Sequence, residues 1–196
     1  MWDQRYGEPG YAYGTDPNAF LAVYADLIPP GRVLCLAEGQ GRNAVYLAQL
    51  GYRVTAVDSS GVGLAKAREL AGERGVSIET VVADLASFQI EAEAWEGIVS
   101  IFCHLSPPVR SRLHRQIAGG LTSGGRLILE AYTPRQLAFR SGGPAEAELT
   151  MTAEGLREEL VGMRLDILRE IDRDVVEGRY HTGRGAVVQA LGSRDD

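Results

Sequence analysis

Lysine, cysteine and long apolar runs are scarce in this 196-residue sequence, and each shortage excludes a kind of chemistry. Lys66 is the only lysine, and arginine, which supplies the other basic side chains, stays protonated and forms no Schiff base. The two cysteines, Cys35 and Cys103, cannot build a disulfide framework and lack the C-x-x-C spacing of zinc and redox sites. The sequence therefore argues against lysine catalysis and predicts no metal site.

Positive charge is also in short supply. The chain has 20 Lys plus Arg against 26 Asp plus Glu, a formal charge of −6, and no basic block. Because binding to a polyanion needs clustered cations, nucleic acid is not an expected partner. No apolar run is long enough to span a membrane, and the N-terminus lacks a basic region followed by an apolar one. We expect a cytoplasmic protein with no membrane partner and one domain, residues 1–196. The oligomeric state stays open.

From residue 32 onward, short β-rich runs alternate with helical patterns, which indicates a parallel α/β sheet. The predicted strands of this half are 33–37, 53–57, 77–82, 97–102 and 126–132, and the predicted helices are 42–50, 61–74 and 109–121. Residues 84–96 are only weakly periodic and predict an irregular connection.

The last third and the first 30 residues follow other patterns. A helix over 153–161, capped by Thr152, precedes strands 164–176 and 179–191, which a two-residue turn at Glu177-Gly178 joins into a hairpin. The first 30 residues are rich in Tyr, Gly and Pro and contain one short predicted helix, 18–27. This segment is typical of a cap or lid.

A glycine loop, 37–43, follows the first predicted strand. The missing side chains of Gly39 and Gly41 let the backbone approach a ligand, and the helix that follows offers free N–H groups to polar or anionic groups. Asp58 ends the next strand, 19 positions after Gly39, where a carboxylate can accept both hydroxyls of a ribose. Alternatively, Asp58 caps the next helix, although Ser59 or Ser60 could do so instead.

A second acidic residue, Asp84, follows the third strand. At the carboxyl edge of a parallel sheet it would lie beside the first two loops and could accept the exocyclic amine of an adenine. A local helix cap is the alternative. Together these residues predict an adenosine site, without separating NAD from S-adenosylmethionine.

Segment 33–44, Asp58, Asp84-Leu85 and the C-terminal hairpin resemble the class I S-adenosylmethionine-dependent methyltransferases over nearly the whole chain. Segments 2–6, 13–21 and 39–43 are similar to a small bacterial branch related to tellurite-resistance and thiopurine or thiol methyltransferases. The resemblance implies a Rossmann-like seven-stranded sheet of order 3-2-1-4-5-7-6, with helices on both faces. It also implies S-adenosylmethionine as cofactor and a small-molecule acceptor with a soft nucleophile, such as a thiol, tellurite or selenite.

On this resemblance, residues 1–30 form a cap or lid, 31–132 the cofactor-binding half, and 133–196 the C-terminal helix and hairpin. The cofactor-binding residues predicted from the motifs and the resemblance together are Arg5, Glu38, Gly39, Gly41, Asn43, Asp58, Ser59, Asp84, Leu85, Phe102 and Cys103.

The sequence departs from the family pattern at one place. The family usually carries an acidic residue at the position of Cys35 and Gly-Cys at Ala37-Glu38. The acidic partner for the amino group of the cofactor is therefore missing from its usual position. Glu38 could contact that ammonium directly, and we interpret Cys35 as a packed core thiol.

Acceptor-side candidates lie in the loop after the fourth strand and in the hairpin. The loop 102–108 lacks the Asn/Asp-Pro-Pro-aromatic motif of methylases that act on amides, which disfavours amino-group methylation. His104 is a candidate base or anion contact, or a loop histidine bonded to backbone. The hairpin turn should place Arg179, Tyr180, His181 and Arg184 near the pocket mouth. Of these, His181 and Arg184 are the substrate candidates, unless this is a plain surface strand.

The aromatic N-terminus contains Trp2, Tyr6, Tyr11, Tyr13 and Phe20. As a lid it would cover the sulfonium with Tyr6, while Arg5 would bond a carboxylate, and it would be mobile in the free protein. Alternatively, it packs over the sheet edge.

Two other functions fit the same residues. The pattern Gly39-x-Gly41-x-x-Ala44 also satisfies the dinucleotide motif of an NAD(P)-dependent reductase, although the chain has no Tyr-x-x-x-Lys pair. A non-catalytic sensor of an adenosine ligand is the third possibility, because fold does not decide function.

Overall fold

A computed structural model describes residues 2–194 of the chain. Its strands are β1 (Arg32–Leu36), β2 (Arg53–Asp58), β3 (Glu79–Val82), β4 (Trp95–Ile101), β5 (Leu121–Tyr132), β6 (Met163–Glu177) and β7 (His181–Arg194). Its α-helices are α1 (Trp2–Gly7), α2 (Ala19–Tyr24), α3 (Arg42–Gln49), α4 (Gly61–Glu73), α5 (Pro107–His114), α6 (Ile117–Gly120), α7 (Gln136–Phe139) and α8 (Ala153–Glu159). Short 3-10 turns occupy Ala25–Leu27 and Ala147–Leu149.

The strands form one seven-stranded sheet in the order β3-β2-β1-β4-β5-β7-β6, which confirms the expected topology. Strands β1 to β5 pair in parallel, whereas β7 pairs antiparallel with both β5 and β6. The carboxyl ends of β1 to β4 therefore meet at one edge, with the loops that carry the glycines and the candidate carboxylates.

The sheet buries both of its faces. Successive side chains of a strand point to opposite faces, so Leu34 and Leu36 pack into one apolar cluster while Val33 and Cys35 pack into the other. Helices α5, α6 and α8 contribute to the first cluster and α2, α3 and α4 to the second. Cys35 is fully buried, as expected of a core thiol.

Several predicted boundaries are wrong. The single helix expected over 109–121 is two helices, α5 and α6, and strand β5 begins at Leu121, five residues early. The hairpin turn contains three residues, 178–180, because Glu177 pairs directly with His181. Sequence analysis also missed helix α1, which lies before the first predicted helix.

No helix within residues 2–194 combines the length and the apolar character needed to cross a membrane.

Candidate active site

A cavity of about 650 Å³ opens at the carboxyl edge of the parallel strands. Its walls come from the N-terminal segment, from the loops after β1 to β4, from loop 142–149 and from the β6–β7 turn. Most of the candidate residues line it together: Arg5, Tyr6, Glu38, Asn43, Asp58, Ser59, Asp84, Leu85, Phe102, His104 and His181.

At two positions of the glycine loop, the missing side chain leaves room for a close neighbour. Gly39 and Gly41 have φ angles of 62° and 89°, which side chains rarely adopt. A Cβ on Gly39 would lie 2.6 Å from the Tyr6 hydroxyl oxygen, and one on Gly41 would lie 2.6 Å from the Cβ of Ala67. The close neighbours are therefore helix α1 at Gly39 and helix α4 at Gly41.

Asp58 is buried at the end of β2 and locks the glycine loop to that strand. Its Oδ2 accepts the Gly39 N–H at 2.9 Å and its Oδ1 accepts the Ser60 N–H at 2.8 Å. The cap of α4 is Ser60, whose hydroxyl accepts the Gly63 N–H at 3.0 Å. Burial raises the pKa of Asp58, while the N–H donors of Ser60 and Gly39 lower it. Asp58 is thus no helix cap, and each of its oxygens has acceptor capacity left.

Asp84 lies on the exposed rim of the cavity. Its Oδ1 accepts the Ala86 N–H at 2.8 Å and so stabilises a turn, but the helix cap of the alternative is wrong, because no helix lies between β3 and β4 in the described part of the chain. It lines the cavity at the same time, next to Leu85.

Glu38 caps helix α3. Its Oε1 accepts the N–H groups of Asn43 and Ala44 at 3.0 and 2.9 Å, in place of Gly41, which occupies the cap position and has no side chain. Burial raises the pKa of Glu38 to about 7, against the lowering effect of these N–H groups and of Arg42. The thiol of Cys35 lies against it, and its pKa is raised by burial and by Glu38. The acidic residue of this motif is therefore Glu38, three positions after Cys35, where the family usually carries one.

Ala37, where the family usually has glycine, adopts a φ of 51°. A left-handed conformation is uncommon for a side chain of this kind, so the loop keeps the glycine-type backbone without the glycine.

An aromatic wall closes the other end of the cavity. We use this name for Tyr13, Phe102, His104, Tyr132 and His181. The Phe102 ring lies 4.5 Å from the Tyr132 ring and 4.7 Å from the His181 ring, and His181 lies 4.5 Å from Tyr13. Phe102 has a φ of 53°, a strained conformation that the Glu130 carbonyl stabilises by accepting its N–H at 2.7 Å.

Both histidines of this wall are neutral. Nδ1 of His104 donates to the Leu149 carbonyl at 2.9 Å, and burial lowers its pKa to about 4. Burial lowers the pKa of His181 to about 3, and the nearby guanidinium of Arg42 lowers it further. Neither imidazole carries charge at neutral pH.

The N-terminal segment packs directly on the glycine loop. Tyr6 is buried beside Gly39 and Gly63, Ala12 donates its N–H to the Gln40 side chain at 2.7 Å, and Lys66 binds the carbonyls of Glu8 and Gly10. Lys66 therefore tethers the segment rather than standing on a solvated helix face. The segment therefore packs over the edge of the sheet and lines the cavity at the same time.

Arg5 projects into the cavity from this segment. Its guanidinium donates to the Tyr13 hydroxyl at 2.9 Å and lies 5.1 Å from the centre of the Trp2 ring and 4.9 Å from that of Tyr180. It forms no ion pair with any residue of the described chain, so its charge remains available to an anion.

Sequence analysis missed a buried ion cluster behind the aromatic wall. Glu177 binds Arg42 at 2.5 Å and Arg173 at 2.8 Å, Arg173 also binds Glu130, and Asn18 donates to both glutamates. The cluster joins the N-terminal segment, the glycine-loop helix α3 and the strands β5 and β6. The one signal in the sequence is Arg42, a charged residue within a motif that was expected to be buried, because a buried charge needs a partner.

Four candidates are not among the residues that line the cavity. Gly39 and Gly41 face helices α1 and α4 instead, so the expectation that a ligand approaches the loop at these glycines is wrong. Cys103 packs into the apolar core, where burial raises its pKa to about 12. Arg184 faces solvent and lies 3.7 Å from Asp174. Of the other hairpin residues, Tyr180 and His181 line the cavity as expected, whereas Arg179 pairs with Glu8.

The cavity fits S-adenosylmethionine in its polarity. Carboxylates line it at Glu38, Asp58 and Asp84, and aromatic rings line it at Tyr6, Tyr13 and Phe102. Within residues 2–194, no three His, Cys, Asp or Glu side chains are placed to share a metal ion.

Comparison with known proteins supports this description. Residues 33–125 match the model of a methyltransferase domain family. The chain is 33% identical over 139 residues to the ribosomal protein L11 methyltransferase of Symbiobacterium thermophilum, which covers 64% of this chain and 46% of the relative. It is 38% identical over 76 residues to a probable S-adenosyl-L-methionine-dependent methyltransferase, TehB, of Haemophilus influenzae, which covers 39% of this chain and 26% of the relative. The matches therefore span less than half the length of these curated relatives.

Solved structures show the same fold. TehB of Haemophilus influenzae superposes with a TM-score of 0.72 at 21% identity, over 99% of this chain and 66% of that one. The fold is also that of a protein solved in work on the conversion of a disulfide bond into a thioacetal group during echinomycin biosynthesis. The two structures superpose with a TM-score of 0.76 at 20% identity, over 99% of this chain and 91% of that one. From fold, domain match and relatives together, residues 33–125 carry a methyltransferase domain, and the chain resembles S-adenosylmethionine-dependent methyltransferases such as TehB.

Proposed function

We propose that this chain transfers the methyl group of S-adenosylmethionine to a small molecule that presents a soft nucleophile, such as a thiolate, tellurite or selenite. One observation carries the proposal. A single cavity joins a half rich in carboxylates to an aromatic wall whose two imidazoles are neutral, with the unpaired cation Arg5 beside it.

When bound, the cofactor would supply an electrophilic methyl group: an acceptor lone pair forms a bond to the methyl carbon in line with the carbon–sulfur bond, which breaks and leaves its electrons on the departing sulfur. The polypeptide has to orient the two reactants and exclude water. Asp58 would accept ribose hydroxyls, Asp84 the adenine amine, and Glu38 with Asn43 the methionine portion. Tyr6 and Phe102 would provide aromatic faces for the positive charge.

The acceptor half favours a nucleophile that needs no strong base. His104 already uses its Nδ1–H on the Leu149 carbonyl, and the depressed pKa values of both histidines make them weak bases. The guanidinium of Arg5 favours a negative group near the pocket mouth. A thiolate or an oxyanion fits this environment better than a neutral amine.

The names of the relatives point to different acceptors. The name TehB attaches to a probable methyltransferase, and the echinomycin structure concerns a disulfide, so its chemistry takes place at sulfur. The name of the L11 methyltransferase indicates a protein acceptor instead, and ribosomal protein L11 is therefore the second acceptor to test.

The test is transfer of a labelled methyl group to a panel of thiols, tellurite, selenite, small amines and ribosomal protein L11. Asp58→Ala serves as the inactive control. We expect product from a thiol or an oxyanion and none from amines or L11. Product from L11 alone would contradict the soft-nucleophile proposal. Label transfer to no acceptor, with the cofactor bound, would favour the sensor.

A further inference from the structure

Two buried polar atoms of the aromatic wall have no hydrogen-bond partner among residues 2–194. They are the hydroxyl oxygen of Tyr132 and the Nδ1 of His181. Tyr132 is 0% exposed and His181 is 8% exposed, so bulk water does not solvate either atom. Buried polar groups are nearly always paired, and two orphans in one cluster need an explanation.

The two side chains belong to neighbouring strands and touch. Their ring centroids lie 5.2 Å apart with the planes at 86°. The Tyr132 ring is packed in place, since a Cβ on Gly143 would lie 2.6 Å from its Cδ2 and a Cβ on Gly185 would lie 3.4 Å from its Cε1. The hydroxyl therefore has no route to solvent.

Both atoms also share an electrostatic environment. Arg42 and Arg173 are among the groups that shift the pKa of each residue, which places both side chains beside the same ion cluster. Burial raises the pKa of Tyr132 and lowers that of His181, so both are neutral. A neutral phenol can donate one hydrogen, and a neutral imidazole has one nitrogen that accepts it.

We propose that the Tyr132 hydroxyl donates to one bound water that in turn donates to His181 Nδ1, since no direct hydrogen bond joins the two side chains, and thereby fixes His181 as the tautomer protonated at Nε2. Tyr132 is then a positioning residue, acting through His181. The one N–H that His181 can offer an acceptor molecule is at Nε2, and its lone pair is occupied.

His104 has the opposite tautomer. Its Nδ1 donates to the Leu149 carbonyl, so its Nε2 holds the lone pair, and the Tyr132 backbone N–H lies 3.4 Å from it. Neither imidazole then has a free lone pair with which to remove a proton. This step deepens the proposed function and rests on it: the acceptor has to arrive already ionised, and His181 orients the anion instead of acting as a base.

The tautomers can be measured without any activity. The full chain has three histidines, so ¹⁵N-histidine labelling with two-dimensional ¹H–¹⁵N correlation resolves each ring, and His181→Gln assigns its signals. We expect His181 to be protonated at Nε2 and His104 at Nδ1. In Tyr132→Phe, His181 should shift to a mixture of tautomers while His104 stays unchanged.

Tyr13→Phe is the matched control. The Tyr13 ring also touches His181, at 4.5 Å, but its hydroxyl pairs with Arg5, so the variant should leave the His181 tautomer unchanged. His181 protonated at Nδ1 in the wild type, or unaltered by Tyr132→Phe, would overturn the inference. If Tyr132→Phe does not fold, the wild-type spectrum alone decides. These spectra are independent of whether a methyl acceptor is found.

Discussion

Asp58 is the residue for which the sequence argument and the geometry agree best. Its spacing from Gly39 predicts a carboxylate at the edge of the sheet, and the structure places it there, buried and bonded to the Gly39 N–H. The hydroxyls of a ribose would donate to the remaining lone pairs of the two Asp58 carboxylate oxygens.

Asp58→Ala should therefore weaken binding of S-adenosylhomocysteine by roughly ten- to a hundredfold, because a charged hydrogen-bond partner contributes about 1.5–3 kcal/mol. Calorimetry on both proteins measures the ratio. Cys35→Ala is the control, since Cys35 lies in the core outside the cavity. Equal affinities for Asp58→Ala and wild type would show that the ribose binds elsewhere.

Glu38 shows what spacing could not predict. The sequence indicates a displaced acidic residue, but the cap on α3 depends on how the loop turns at Ala37. The pairing of Tyr132 with His181 is likewise invisible in the sequence, because the two residues are 49 positions apart and meet only in the sheet.

Glu38 should make stability depend on pH. Burial raises its folded pKa to about 7 from 4.5, so its contribution is fully present below about pH 4.5 and is lost as pH rises through 7. Glu38→Gln keeps the accepting oxygen without the charge. Relative to this variant, the wild type should lose about 2–3 kcal/mol of unfolding free energy between pH 4.5 and 8. Urea denaturation of both proteins measures it, and a constant difference would contradict the shifted pKa.

At the level of elements, the strands were predictable and the connections were not. Buried β-rich runs fixed β1, β2 and β4 to within two residues, because a strand covered on both faces leaves a continuous apolar run. Helix α1 was missed because its one buried side chain, Tyr6, gives no apolar period.

The N-terminal segment was expected to be mobile without ligand, and its contacts predict the reverse. The Ala12 amide, bonded to the Gln40 side chain, should exchange slowly in the free protein and change little when S-adenosylhomocysteine is added. Hydrogen exchange with and without the ligand measures this. Protection that develops only on binding would restore the mobile lid.

The buried ion cluster links that segment to the hairpin, and its loss should be costly. Glu177→Ala leaves Arg42 and Arg173 without a shared partner in a buried site, so we expect about 3–5 kcal/mol of destabilisation. Asp174→Ala is the control on the same strand, because the exposed Asp174–Arg184 pair should contribute less than about 1 kcal/mol. Chemical denaturation compares them. A cost for Glu177→Ala as small as that of the control would show that the cluster does not hold these elements together.

At the scale of the whole molecule, the alternation of strands and helices predicted the class of fold, and the family resemblance supplied the strand order. The last part of this order, β5-β7-β6, arises because strand β7 of the C-terminal hairpin inserts between β5 and β6. The acceptor half could not be predicted in detail, because it is assembled from loop 142–149, the β6–β7 turn and the N-terminal segment. These three segments become neighbours only when the complete sheet has formed.

The proposed function depends on which adenosine ligand the cavity binds. Titration calorimetry of one preparation with S-adenosylhomocysteine and with NADH decides between the methyltransferase and the reductase. We predict saturable binding of S-adenosylhomocysteine at one site per chain and no binding of NADH, because the carboxylates and aromatic rings suit a ligand with an ammonium and a sulfur centre. Saturable NADH binding without a response to S-adenosylhomocysteine would contradict it.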